Sequence, residues 1–114
     1  MKVDRGELGQ RYRSLAGFTL LFDNEGFLWE PADWAEEVAI ELARENGIDV
    51  LTENHWKVIK FMREFYFAYG KAPLNKQLRK GTGLSIQQIE KLFPLGIKKS
   101  ARLIAGLPNP RACL

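Results

Sequence analysis

At 114 residues, 46% hydrophobic and 27% charged, the chain has the length and composition of one globular domain. Its single Cys and single His exclude a disulfide framework and any Cys/His metal cluster. No apolar run approaches the roughly 18 residues of a membrane span, and the charged start Met1–Glu7 lacks the apolar stretch of a signal peptide. A cytoplasmic protein with no membrane partner, no metal and no cofactor is therefore expected. The net charge of +3 divides unevenly. Residues 1–70 carry 8 Lys/Arg against 13 Asp/Glu, a balance of −5, whereas residues 71–114 carry 9 against the single acid Glu90, a balance of +8. A basic C-terminal part points to an acidic partner surface or to nucleic acid, or else to lysine-rich solvated helix faces.

Residues 1–10 are polar and glycine-bearing and read as a mobile lead-in to a single domain spanning 1–114. Tyr12–Leu15 and Phe18–Phe22, parted by Gly17, are strand-like. The turn signal Asp23-Asn24-Glu25-Gly26 and then Phe27-Leu28-Trp29 complete a small β-hairpin or meander, which needs helices to pack on. Asp33, with Glu36 as capping-box partner, is expected to start a helix whose inner face is Ala35, Val38, Ala39, Leu42 and Ala43. Its carboxylate row Glu37, Glu41 and Glu45 reads as solvated surface, and Asn46-Gly47 ends it. Thr52 caps a second helix, Glu53 to Tyr69, whose wide apolar sector marks it as central.

Pro73 is expected to open a third helix through Lys80, and Gly81-Thr82-Gly83 to turn the chain. Ser85 with Gln88 boxes a fourth helix, Ile86 to Phe93, which Pro94 and Gly96 break. A fifth runs from Ile97 to Ala105 with Leu103 and Ile104 inward. Residues 106–114 hold Pro108 and Pro110, so they stay out of a helix and form a C-terminal arm. Fully extended, such an arm reaches roughly 30 Å. The fold class is α+β, mainly helical: a small N-terminal β-meander on about five helices with an extended arm.

His55, in the first turn of the central helix, reads as a packing or hydrogen-bonding residue, and the helix's aromatics read as core. Gly81-Thr82-Gly83 lacks the spacing of a nucleotide fingerprint. Two features remain. Leu74–Phe93 resembles a helix-turn-helix, on which Lys76, Arg79, Lys80 and Lys91 are candidate phosphate contacts. The other is Cys113, next to last in the chain. Its thiolate would be favoured by Arg111 and opposed by the carboxylate of Leu114. A lone thiol on an arm suits the carriage of one sulfur as a persulfide. With no second cysteine it cannot discharge that sulfur by an internal disulfide and must hand it to another thiol.

The run Leu92-Phe93-Pro94-Leu95-Gly96, then Lys99, Ala101, Ala105-Gly106-Leu107-Pro108, Pro110 and Cys113, resembles the signature of the DsrC/TusE sulfur-transfer family. Asp23–Leu28, Trp34, Leu51-Thr52-Glu53, His55-Trp56, Arg63-Glu64-Phe65-Tyr66 and Ala72-Pro73 match as well, so the resemblance spans roughly residues 18–114. It implies a β-meander packed on five helices with a C-terminal arm, and Cys113 as the sulfur-carrying residue. It implies sulfur-donor relay proteins of TusBCD or DsrEFH type. The implied acceptor is an MnmA-like thiolase making 2-thiouridine in tRNA, or dissimilatory sulfite reductase. Where DsrC-like members carry a second cysteine on the last helix, this chain has Arg102, which removes two-cysteine redox chemistry.

The expected function is that of a persulfide carrier, a sulfurtransferase in that sense, with Lys98, Lys99, Arg102 and Arg111 as the surface for an acidic partner. The alternatives are a DsrC-like partner of sulfite reductase or of sulfur oxidation lacking the second cysteine, and a regulatory DNA-binding protein on the same fold.

Overall fold

The computed structural model describes residues 3–113, the side chains of Val3 and Cys113 apart. The chain opens with a two-residue strand, β1 (Val3–Asp4), and a 3-10 turn, Arg5–Leu8. This replaces the expected mobile lead-in over residues 3–10. Leu8 is buried, and its carbonyl accepts the Asn24 N–H at 2.9 Å. Arg5 donates to the Trp29 carbonyl, its guanidinium 4.1 Å from the indole centroid. One buried leucine and one stacked arginine outweigh the polarity of the rest of the segment.

β2 (Arg11–Leu15) and β3 (Phe18–Phe22) form the expected antiparallel hairpin, Arg11 opposite Phe22 and Leu15 opposite Phe18. Its turn residues Ala16 and Gly17 both have positive φ, 52° and 83°, the conformation whose twist matches that of the flanking strands. Leu15, Leu20 and Phe22 face the core. The Asp23–Gly26 turn returns the chain so that Leu28 bridges Phe22, with Phe27 and Leu28 buried.

α1 (Glu36–Glu45) buries Val38, Ala39, Leu42 and Ala43 as expected, but Asp33 does not cap it. Pro31–Asp33 is a separate 3-10 turn, and Ala35 is the cap residue, with no side-chain bond. The intervening Trp34 is held extended because its indole Nε1–H donates to the Ile104 carbonyl at 2.9 Å. That tertiary bond delays the helix start.

α2 (Glu53–Tyr69) starts at Thr52 and ends at left-handed Gly70, as expected. Its inner residues Val58, Ile59 and Met62 are buried, and it packs on α3 (Asn75–Thr82), α4 (Ile86–Leu92) and α5 (Arg102–Ile104). Its last turn runs past the core, leaving Phe67 and Tyr69 exposed. His55 has the expected structural role. The Thr52 N–H donates to Nδ1 at 3.0 Å, Nε2 lies 2.8 Å from the Leu92 carbonyl, and the ring meets Phe93 edge-on. Acceptance at Nδ1 places the ring proton on Nε2, where it donates to Leu92. One imidazole thus closes the start of α2 and ties it to the end of α4.

α3 begins two residues after Pro73, with the Gln77 side chain accepting the Leu74 N–H. It runs on through Gly81 and Thr82. A Cβ at Gly81 would fall 2.1 Å from the Phe61 ring, so the glycine serves helix packing, and the chain turns at left-handed Gly83. Ser85 and Gln88 box α4 as expected. The fifth helix is not uniform. Ile97–Ala101 is π-helical, with the Ala101 N–H reaching the Gly96 carbonyl five residues back, and it runs directly into α5. Leu103 and Ile104 are buried. Among the described residues no helix is long and apolar enough to cross a membrane.

Three substitutions test this packing by urea or thermal unfolding. His55→Ala orphans the Thr52 N–H and the Leu92 carbonyl and is expected to cost about 2–3 kcal/mol. At Gly106, φ is +72° and a Cβ would lie 2.4 Å from Trp34 Cδ1, so Gly106→Ala is expected to cost roughly 2–4 kcal/mol. Gly17→Ala has the same sign of φ (+83°) but open space and should cost about 1 kcal/mol. Equal losses at the two glycines would show that the Trp34 contact does not matter.

Candidate functional site

The arm leaves the body at Gly106, and its root is fixed from two sides. Arg63 on α2 donates from Nη1 to the Ala105 carbonyl and from Nη2 to the Pro31 carbonyl, both at 3.0 Å. Its guanidinium lies 4.1 Å from the Trp34 ring centroid, and Trp34 in turn holds the Ile104 carbonyl. Burial lowers the Arg63 pKa, but a guanidinium stays charged at any physiological pH. From the other side Arg102 Nε donates to the Pro108 carbonyl at 3.0 Å. Burial lowers its pKa too, against an opposing contribution from Tyr66. Gly106, Leu107, Pro108 and Asn109 are all buried. The arm is free of helix, as its prolines require, but it is laid on the body.

Asn109 is the next mooring point. Its Nδ2 donates to Asp23 Oδ2 and to Glu25 Oε1, each at 3.1 Å, and its Oδ1 accepts the Arg111 N–H at 2.8 Å. Asp23 uses its other oxygen to accept the Glu25 and Phe27 N–H groups at 2.9 and 3.0 Å. One buried carboxylate therefore closes the β-turn and holds the arm. The Ala112 N–H returns to the Asn109 carbonyl at 3.0 Å, and the Arg111 guanidinium pairs with Glu25. The chain then ends its described course as β4 (Ala112–Cys113), parallel to β1, with Val3 opposite Ala112 and Asp4 opposite Cys113. The thiol of Cys113 and all of Leu114, whose carboxylate is expected to oppose the thiolate, lie outside the described residues.

Two clefts adjoin here, and arm residues line the first of them. One, of about 420 Å³, is lined by Glu25, Phe27, Lys98, Lys99, Asn109 and Arg111, among others. The second, of about 680 Å³, shares Lys98 and Lys99 and adds Arg102, Glu90 and Ile97. The four cations read from the sequence as a docking surface thus border two adjoining clefts. They differ in freedom: Lys98 and Lys99 are exposed, Arg102 is half-buried against Pro108, and Arg111 is paired with Glu25. Lys76, Arg79, Lys80 and Lys91 are exposed on α3 and α4, and none of them lines either cleft. Lys76 and Lys80 lie one helical turn apart on one face.

Sequence reading missed Asp23, Glu25, Asn109, Trp34 and Arg63 as the residues that position the arm. A polar Asn between two prolines is a turn signal, but nothing local names its partners 84 and 86 residues away.

Comparison with known proteins agrees with this architecture. A family model described as "DsrC like protein" matches residues 14–114. The chain is 43% identical over 99 residues to Sulfurtransferase TusE of Buchnera aphidicola subsp. Schizaphis graminum, covering 81% of this chain and 86% of that protein. A solved structure of dissimilatory sulfite reductase I (DsrI) superposes with a TM-score of 0.85 at 36% identity, over 91% of this chain and all of that one. The oxidized gamma-subunit of dissimilatory sulfite reductase (DsrC) from Archaeoglobus fulgidus superposes with a TM-score of 0.77 at 38% identity, again over 91% and 100%. With a helical body, an N-terminal hairpin and a match over nearly all of its length, the chain belongs to the DsrC-like family.

Proposed function

We propose that the protein is a single-cysteine sulfur carrier in a sulfur relay, with Cys113 cycling between thiol and persulfide. The observation that carries this reading is the place of the chain's only cysteine: next to last, beyond an arm moored through Asn109, in a chain whose relatives include sulfurtransferases. In the loading step the Cys113 thiolate attacks the outer sulfur of a donor persulfide. An S–S bond forms to Cys113, the donor's S–S bond breaks, and the donor leaves as a thiolate. In the unloading step an acceptor thiolate attacks the outer sulfur on Cys113 and releases the Cys113 thiolate. No oxidant or reductant is consumed in either step.

The donor is a relay protein of TusBCD or DsrEFH type. The acceptor is an MnmA-like thiolase, with tRNA 2-thiolation as the outcome, or a sulfite reductase. Lys98 and Lys99, with Arg102 and Arg111, form the docking surface for an acidic face of these partners. Supporting this placement, the two exposed lysines line both clefts, the first of which borders the arm. Charge there acts mainly on the rate of encounter.

Two measurements test the proposal. Incubation with a cysteine desulfurase, cysteine and relay proteins, followed by intact mass, should show one added sulfur that Cys113→Ser abolishes. An adduct that survives that substitution, or none in the wild type, sinks the carrier reading. Lys98→Glu combined with Lys99→Glu should slow loading about tenfold at low salt and leave thermal unfolding unchanged. Unaltered rates would remove these lysines from the docking surface.

A further inference from the structure

The N-terminal segment lies ahead of the family match, which begins at residue 14, yet it sits against the arm. β4 contacts both β1 and the 3-10 turn Arg5–Leu8. Ala112, one residue from the carrier cysteine, is only 8% exposed, although the preceding Arg111 is exposed. The segment is anchored independently of the arm, through buried Leu8, the Leu8 carbonyl on the Asn24 N–H, and Arg5 over Trp29. Gly9 is fitted to the Asn24 side chain, where a Cβ would lie 2.1 Å from its amide nitrogen. Beyond those anchors Val3 and Asp4 reach the arm by a parallel pairing of two residues. So short a ladder is marginal by itself.

We propose that Val3–Asp4 is a displaceable cover on one edge of the arm, holding Ala112–Cys113 against the body until a partner draws the arm away. A firm anchor at Arg5–Leu8 and a weak two-residue pairing suit a device that opens without unfolding its base. An uncovered strand edge offers unpaired backbone groups to any passing chain, and the cover occupies that edge on the segment that bears the thiol. The cover matters to sulfur transfer only if Cys113 carries sulfur, but its presence is read from thiol access alone.

Deletion of residues 2–4 leaves Arg5 and Leu8 in place. It should raise the rate of Cys113 alkylation by iodoacetamide about five-fold, the factor expected from losing roughly one net hydrogen bond of restraint, with thermal unfolding unchanged. In the full-length chain, Asp4→Cys should form an intramolecular disulfide with Cys113 on mild oxidation, whereas Gln10→Cys should not. An unchanged alkylation rate in the folded deletion variant, or no Asp4→Cys disulfide, would overturn the cover. A wild type that takes up no sulfur while the deletion still accelerates alkylation would overturn the carrier reading and leave the cover standing.

Discussion

The carboxylate of Asp23 is the constraint on which the site depends. It is 3% exposed, and a buried carboxylate is costly unless its lone pairs meet donors. Two backbone N–H groups of its own turn meet one oxygen and the Asn109 amide meets the other. The turn and the arm are therefore mutually required: without Asn109 a buried oxygen loses its donor, and without the turn the arm loses its receptor. Asn24 in the same turn also receives the N-terminal segment through Leu8. One four-residue turn gathers both ends of the chain.

Behind this turn the body makes the arm's root stiff. Arg63 and Trp34 hold three carbonyls between them, at Pro31, Ile104 and Ala105, and Arg102 holds a fourth at Pro108. Of these, the Ile104 and Ala105 carbonyls are the backbone groups stranded where the last helix ends. The consequence for charge is direct. The C-terminal block is almost uniformly basic in sequence, but Arg102 faces inward and Arg111 is paired, whereas Lys98 and Lys99 are exposed beside the clefts with no ion-pair partner among the described residues.

What was legible in the sequence was what short-range chemistry decides. The hairpin's turn, the Thr52 and Ser85 caps and the stop at Gly70 depend on residues within four positions of each other. Asp33 misled because it satisfies the same local rule, while Trp34 answers to Ile104, 70 residues on. The length of α3 is not legible locally, because Gly81-Thr82-Gly83 has the form of punctuation. The missing side chain of Gly81 instead makes room for Phe61. The arm's course was invisible for the same reason as Trp34's: Asn109 meets Asp23 only after the helices have brought them together. The lead-in was judged on average polarity, which conceals one leucine and one arginine that dock.

Arg102 joins the fold to the chemistry. Its side chain reaches the arm as a hydrogen-bond donor to Pro108, so this position restrains the arm's root and offers it no second thiol. On the carrier reading proposed above, sulfur on Cys113, the chain's only cysteine, has no thiol within the chain to pass to, so the tip has to meet an acceptor from outside. The moorings are graded to allow this. The root is locked by buried cation and indole contacts, whereas residues 110–113 are held by the Arg111 and Ala112 N–H bonds to Asn109, an exposed ion pair with Glu25 and a two-residue ladder, each contributing on the order of 1 kcal/mol or less. In the carrier proposed here, a partner lifts the last few residues by breaking these separate small contacts, with Asn109 and Pro110 where the held chain gives way to the deliverable one.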